Sequence, residues 1–64
     1  MMKIGDLVAY KNPVDRVLGR GELGIILEVY ETGGLIGTEY RVRWYCNHGR
    51  ILTKNEHSDS IRAI

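Results

Sequence analysis

The chain has 64 residues, enough for one domain and too few for a catalytic domain with its own cofactor fold. Nine Lys and Arg against eight Asp and Glu give a formal charge of +1, unlike the strongly basic balance of a non-specific DNA-binding protein. No apolar run approaches the roughly 20 residues that a transmembrane helix needs. These properties predict a single domain over residues 1–64 with no membrane-spanning helix.

The single cysteine, Cys46, excludes an internal disulfide and therefore a disulfide-stapled secreted miniprotein. The first residues lead directly into Ile4-Gly5-Asp6 without the apolar stretch that a signal peptide has. We therefore expect an intracellular protein in a reducing compartment. Because a chain of this size buries only about 60% of its unfolded surface, most large apolar side chains should belong to the core.

Short runs of β-branched and aromatic residues, separated by glycine-rich breaks, predict a small all-β domain. The predicted strands cover residues 6–10, 24–30, 40–45, 50–54 and 61–64. A long first loop spans residues 12–22, and residues 31–39 are expected to form a glycine-rich hairpin loop or a distorted strand tip. A tight turn over residues 46–49 places Gly49 in the left-handed conformation. Residues 55–60 suit a single 3₁₀ turn before the last strand.

Alternation in the second and third strands predicts which side chains face the core. In the third strand, Tyr40, Val42 and Trp44 should point inward and the residues between them outward. In the second strand, Glu28 marks the outer face because an unpaired buried carboxylate is costly. Residues 25, 27 and 29 are then expected in the core, and 26, 28 and 30 outside. In that register Glu28 faces Arg41 or Arg43.

Five short strands, a long first loop, a tight turn between strands three and four and a 3₁₀ turn before strand five predict a small SH3-like barrel. An OB-fold is the alternative, although it usually needs more residues and often a helix between strands three and four.

The runs KIGDLVAYK, GELGIILEVY, YRVRWY and SDSIRAI resemble the short SH3-like barrel proteins encoded by tailed bacteriophages. This resemblance covers almost the whole chain and implies a barrel without cofactor or catalytic residues. The stretch from Gly21 to Ile26 also resembles the glycine turn of KOW modules, but Glu22 stands where a basic flank would strengthen the match. The acidic-aromatic stretch of signalling SH3 domains is missing.

Few residues suggest site chemistry. The soft metal ligands are Cys46, His48 and His57, and Asp59 could add a fourth, but structural zinc normally uses recurring pairs such as C-x₂-C. Cys46 and His48 in a surface turn also lack the cleft and the third orienting group that nucleophilic catalysis needs. We therefore predict no metal, no cofactor, no small-molecule substrate and no enzymatic activity.

The motif G-x-G-x-x-G occurs at residues 19–24, but no helix or βαβ unit follows it. We interpret it as an accidental match and not as a nucleotide-binding loop.

The best functional candidate is an outward face that combines basic and aromatic residues: Tyr30, Arg41, Arg43, Tyr45 and Arg50. The leading hypothesis is a non-catalytic interaction module that is phage-encoded, either virion-associated or an accessory protein acting on a host protein. It would act through a protein partner or through self-association. The alternative is a nucleic-acid-binding barrel that uses the Arg41, Arg43, Tyr45 and Arg50 face.

Overall fold

A computed structural model describes residues 2–31 and 37–64 and places five strands in one antiparallel sheet. The strand order across the sheet is β4-β3-β2-β1-β5. None of the helices in the described residues is long and apolar enough to cross a membrane. The strands are β1 Leu7–Tyr10, β2 Leu23–Glu31, β3 Thr38–Tyr45, β4 Ile51–His57 and β5 Ile61–Ala63, with a short helix α1 at Pro13–Val17 and 3₁₀ turns at Asn47–Gly49 and Ser58–Ser60.

The core lies on one side of this sheet and confirms the inward residues predicted for the third strand. Trp44 and Val42 have no exposed surface, and Tyr40 is buried as well. The other buried apolar residues come from β1, β2 and β5: Val8, Ile26 and Ile61.

The alternation predicted for the second strand is wrong for Ile25 and Ile26. Ile25 was expected in the core but lies on the outward side, where it pairs with the exposed Arg43. Ile26 was expected outside but is buried, 1% exposed, and it pairs with Val42. The register between β2 and β3 shifts between Ile26 and Glu28, so that Leu27 is an extra residue in β2. The shift lets both Ile26 and Val29 lie on the core side, while Glu28 stays outside opposite Arg41, as predicted.

The sheet is all-β and five-stranded as predicted, and the 3₁₀ turn before the last strand is confirmed. The barrel, however, is not closed by backbone pairing, because the strand pairs of the described residues do not join β4 to β5. Side chains connect the two parts of the sheet there. The hydroxyl of Tyr10 on β1 donates to Glu56 on β4.

The long first loop is not wholly irregular, because it contains α1. Proline is favoured at the first helical position, where its missing N–H costs nothing, and Pro13 occupies it. The side-chain oxygen of Asn12 caps the helix by accepting from the backbone N–H of Val14 at 3.0 Å. The loop therefore presents a short, ordered rim beside β1.

Two other boundaries differ from the prediction. β4 runs three residues further than expected, through His57, so the 3₁₀ turn begins only at Ser58.

In the tight turn, Gly49 has the predicted left-handed conformation at φ 74°, and His48 shares it at φ 64°. The centre of the glycine-rich hairpin loop, with Gly33 and Gly34, lies outside the described residues; β2 extends to Glu31 and β3 begins at Thr38.

Two glycines of the G-x-G-x-x-G stretch, Gly21 and Gly24, have a packing role. A Cβ atom on Gly21 would lie 2.7 Å from Cε3 of Trp44. A Cβ atom on Gly24 would lie 2.6 Å from Cγ1 of Val42 and 2.9 Å from Cε3 of Trp44. Both positions thus need glycine so that the backbone can approach the buried indole.

Candidate functional site

The outer surface of the sheet carries three exposed apolar residues side by side. Tyr45 on β3 pairs with Leu23 on β2 and with Ile51 on β4. Leu23 is 38% exposed, Tyr45 42% and Ile51 56%. Because these positions are register partners, their side chains lie on one face at the strand spacing of about 4.8 Å. We call these three residues the apolar row.

A cation lies next to the apolar row. Arg43 pairs with Ile25 on one side and Thr53 on the other, so its neighbours across both strands are uncharged. It is exposed, and it forms no ion pair with another described residue. Ile25 in turn pairs with Leu7, which is 47% exposed and extends the apolar surface toward β1. Arg43 therefore stands as an uncompensated charge at the margin of an apolar surface.

The far end of the same face is polar and internally satisfied. Glu28 pairs with Arg41 in the ladder, but its carboxylate accepts the hydroxyl of Tyr30 at 2.8 Å. That hydrogen bond raises the pKa of Tyr30, and a hydrogen bond with Arg41 opposes the shift. The described residues contain no ion pair between Glu28 and Arg41. Because Glu28 and Arg41 are charged and the Tyr30 hydroxyl is hydrogen-bonded, this end of the face offers little apolar surface to a partner.

The structure brings four of the five predicted face residues onto one surface. Tyr30, Arg41, Arg43 and Tyr45 all occupy outward positions of β2 and β3. Arg50 does not join them. It precedes Ile51, and alternation gives it the side of Leu52, which packs against the core.

A peptide groove of the SH3 type would need several tyrosines on one surface, but Tyr10 packs against the core. Its ring stacks on Trp44 with centroids 4.1 Å apart and planes 9° apart. Tyr10, Tyr30 and Tyr45 therefore do not line one groove.

Sequence reasoning missed Leu23 and Ile51 as members of the face. Leu23 was placed at the boundary of the second strand and Ile51 inside the fourth, where an apolar residue was expected to be buried. Only the register of β3 with both neighbours shows that Tyr45, Leu23 and Ile51 share a row.

The four residues considered as metal ligands fall at opposite ends of β4. Cys46 and His48 precede the strand, whereas His57 ends it. Seven residues at about 3.3 Å each separate the two ends by roughly 20 Å. His57 and Asp59 do meet, with Nδ1 and Oδ2 3.5 Å apart. Within residues 2–31 and 37–64, no three ligating side chains cluster as a metal site.

A concave feature lies where the first loop meets the sheet. It is a cleft of about 210 Å³ between α1 and the ends of β1, β2 and β5. Its lining residues are Ala9, Tyr10, Lys11, Pro13, Arg16, Gly21, Glu22 and Arg62. We call it the α1 cleft. Three of its side chains are cations and only one is a carboxylate, so its rim is basic.

Comparison of the chain with known protein families, with curated proteins and with solved structures gave no match.

Proposed function

We propose that this protein is a non-catalytic interaction module whose outer sheet surface docks against a protein partner. The observation that carries the proposal is the apolar row: Leu23, Tyr45 and Ile51 are all exposed and adjacent across three strands. A contiguous exposed apolar patch marks an interaction surface more often than scattered single apolar residues do.

The free energy of covering exposed apolar surface also supports docking to a partner. The described core has only six buried apolar side chains, and nine large apolar side chains remain exposed. Removing apolar surface from water is worth roughly 25 cal/mol per Å². A small domain with a minimal core gains from covering such a surface with a partner.

Arg43 indicates the chemistry of that partner. Its ladder neighbours are Ile25 and Thr53, so a protein that covers the apolar row must also face this cation. Burying an unpaired charge is costly, whereas a carboxylate supplied by the partner forms a charge-assisted hydrogen bond. The partner that fits is therefore a protein with apolar side chains beside an acidic residue. Association with a second copy of the chain is an outcome that the experiments distinguish.

Nucleic-acid binding is the second candidate, because Arg41, Arg43 and Tyr45 do share one face. Basic and aromatic side chains together suit phosphates and stacked bases. We rank it lower because Arg41 faces Glu28 and Arg50 falls on the other side of β4. With a formal charge of +1, we expect little binding to oligonucleotides at physiological salt.

The resemblance to phage SH3-like proteins implies an accessory or virion-associated role in the host cell, and this stays a prediction. The neighbouring genes test it, since a place among capsid or tail genes implies a structural role.

The proposed function is tested by selecting peptides that bind the protein from a displayed random library. Tyr45→Ser removes the centre of the apolar row, and Asn55→Ser is a matched control because Asn55 is exposed on the same face of β4. Both variants should fold, since neither residue belongs to the buried core. Selected peptides should combine apolar residues with an acidic residue.

These peptides should lose at least about tenfold in affinity for Tyr45→Ser and for Arg43→Glu, and keep it for Asn55→Ser. Peptides that bind Tyr45→Ser as well as the parent protein would place the site elsewhere. Submicromolar binding of an oligonucleotide with a steep salt dependence, lost in a folded Arg41→Glu, Arg43→Glu double variant, would favour the nucleic-acid candidate instead.

A further inference from the structure

The α1 cleft has an apolar floor and a basic rim. Ala9, Tyr10 and Pro13 supply apolar surface, and Lys11 and Arg62 are exposed cations beside them. The backbone of both cations is fixed by the sheet: Arg62 pairs with Ala9, and the N–H of Lys11 donates to the carbonyl of Ser60 at 3.0 Å. Arg62 thus lies within β5, and Lys11 directly follows β1 with its backbone held by a hydrogen bond.

Arg16 is placed on the opposite rim by α1. The position of this helix is set by the Asn12 cap and by a contact behind it, where Nη1 of Arg20 lies 2.7 Å from Oδ1 of Asp15. Arg20 and Asp15 neutralise each other, so they add no net charge beside the cleft. Arg16 reaches the only lining carboxylate, Glu22, at 3.8 Å, which is a loose ion pair.

Charge is unbalanced in the cleft. Lys11, Arg16 and Arg62 against Glu22 give a formal charge of +2, whereas the whole chain carries only +1. Glu22 also has a second partner. When the Asn47 amide is oriented with its nitrogen toward the carboxylate, that nitrogen donates to Oε1 of Glu22 at 2.9 Å. Lys11 and Arg62 form no ion pair with another described residue. These two cations are therefore uncompensated beside a concave apolar surface.

We propose that the α1 cleft is a carboxylate-binding site that receives an acidic side chain from a peptide segment of the protein partner. Its volume of about 210 Å³ is below the roughly 300–1,000 Å³ of typical small-molecule pockets, so it fits one side chain rather than a cofactor. The apolar floor matches the methylene stem of a glutamate, and the cations match its carboxylate.

The cleft and the apolar row belong to one outer surface. Ala9 and Arg62 are outward residues of β1 and β5, as Leu7 is. Because Val8 pairs with Gly24 in the antiparallel register, Ala9 lies toward Leu23 at the end of the apolar row. A segment that crosses the strands along the apolar row thus ends at the basic rim. The identification of the ligand as part of a protein rests on the proposed function; the capture of a carboxylate by the cleft does not.

The test is an amide NMR titration of the whole chain with a capped peptide of leucine and glutamate residues. An otherwise identical peptide with glutamine in place of glutamate is the matched probe. We expect shifts at residues 9–12, 16, 21, 22 and 62 with the glutamate peptide and none there with the glutamine peptide. Arg62→Glu should weaken binding at least about tenfold. Arg50→Glu, which makes the same charge change at an exposed residue outside the cleft, should leave it unchanged.

Equal shifts with the glutamine peptide, or equal weakening in Arg62→Glu and Arg50→Glu, would overturn the proposal. So would tighter binding at these residues by inorganic phosphate or by an oligothymidylate, because the cleft would then select phosphate. Tyr45→Ser separates this result from the proposed function, since it removes the apolar row and leaves the cleft lining intact. Retained binding of the glutamate peptide by that variant supports an independent carboxylate site.

Discussion

Trp44 and Glu56 are joined by a partly buried hydrogen bond, in which the indole Nε1 donates to Oε2 of Glu56 at 2.9 Å. The same carboxylate oxygen accepts the hydroxyl of Tyr10, whose ring stacks on the indole. Lys54 lies over the Tyr10 ring, with its Nζ atom 5.5 Å from the ring centre. Among the described residues no backbone pairing joins β4 to β5, and this cluster connects β4 to β1 across the open side of the sheet.

Replacing Glu56 by leucine should destabilise the fold by about 1–3 kcal/mol or more, because the Trp44 N–H and the Tyr10 hydroxyl lose their acceptor. Glu56→Gln keeps one acceptor oxygen and should cost less. Urea unfolding followed by tryptophan fluorescence measures both. Glu31→Gln, at an exposed position at the end of β2, is the control and should leave the midpoint unchanged. An unchanged midpoint in Glu56→Leu would show that the cluster does not stabilise the fold.

Stability should fall at alkaline pH because of Tyr10. Burial, and after it the hydrogen bond to Glu56, raises the pKa of Tyr10 above its ordinary value of 10.0. The folded state therefore favours the neutral phenol. That contribution is fully present below about pH 10 and is lost as the pH rises further, because the unfolded chain ionises first.

The free energy of unfolding, measured by urea titration between about pH 8 and about pH 11, checks this expectation. Tyr10→Phe removes the titrating group and keeps the ring stack. Its stability should be lower than that of the parent protein at the neutral end and should fall less steeply with pH. Parallel pH profiles for the two proteins would contradict the assignment.

Trp44→Ala should unfold the domain. The indole is fully buried, and replacing a core aromatic residue by alanine typically costs about 3–5 kcal/mol. A domain this small has little more than that in total. Thermal unfolding by circular dichroism measures the loss, and Trp44→Phe, which keeps a ring for Tyr10 to stack on, should remain folded with a lower midpoint. A cooperative transition of Trp44→Ala near the parent temperature would contradict the core role.

Gly24→Ala should destabilise the protein by about 1–3 kcal/mol through overpacking. The added methyl group would lie 2.6 Å from Cγ1 of Val42, so the Val42 side chain must move or be replaced by a smaller one. Val42→Ala combined with Gly24→Ala should therefore cost less than the sum of the two single changes. Denaturant midpoints of the four proteins form the cycle, and strict additivity would show that the close approach of the strands is not needed.

The sequence predicts the parts of this molecule that depend on local pattern. Tyr40, Val42 and Trp44 alternate cleanly, so their burial follows from β periodicity. The bulge at Leu27 is not visible in the same way, because an extra residue in an apolar run leaves no polar residue out of phase. Alternation from Glu28 therefore assigns both Ile25 and Ile26 to the wrong face.

The candidate site depends more strongly on register than the core does. Arg43 and Tyr45 could be placed outward from their own strand. Their neighbours Leu23 and Ile51 come from strands whose pairing is decided by the bulge and the turn lengths. The sequence does not predict the α1 cleft, because residues 12–22 have the polar composition of a connecting loop and Arg62 lies far from them in the sequence.

The central claim is that the surface around Tyr45 contacts a protein partner. Site-specific photo-crosslinking in the cells that contain the protein tests it most directly, with p-benzoylphenylalanine in place of Tyr45. The same group in place of Glu31 is the control, since Glu31 lies at the other end of β2 from Leu23, roughly 26 Å away at about 3.3 Å per residue.

We predict one dominant protein adduct from position 45, with apolar and acidic residues in the crosslinked peptide. That adduct should be absent from position 31 and lost when Arg43→Glu is added. Identical adducts from both positions, a nucleic-acid adduct, or an adduct that persists with Arg43→Glu would contradict the claim. An adduct of twice the chain mass would identify the partner as a second copy of this chain.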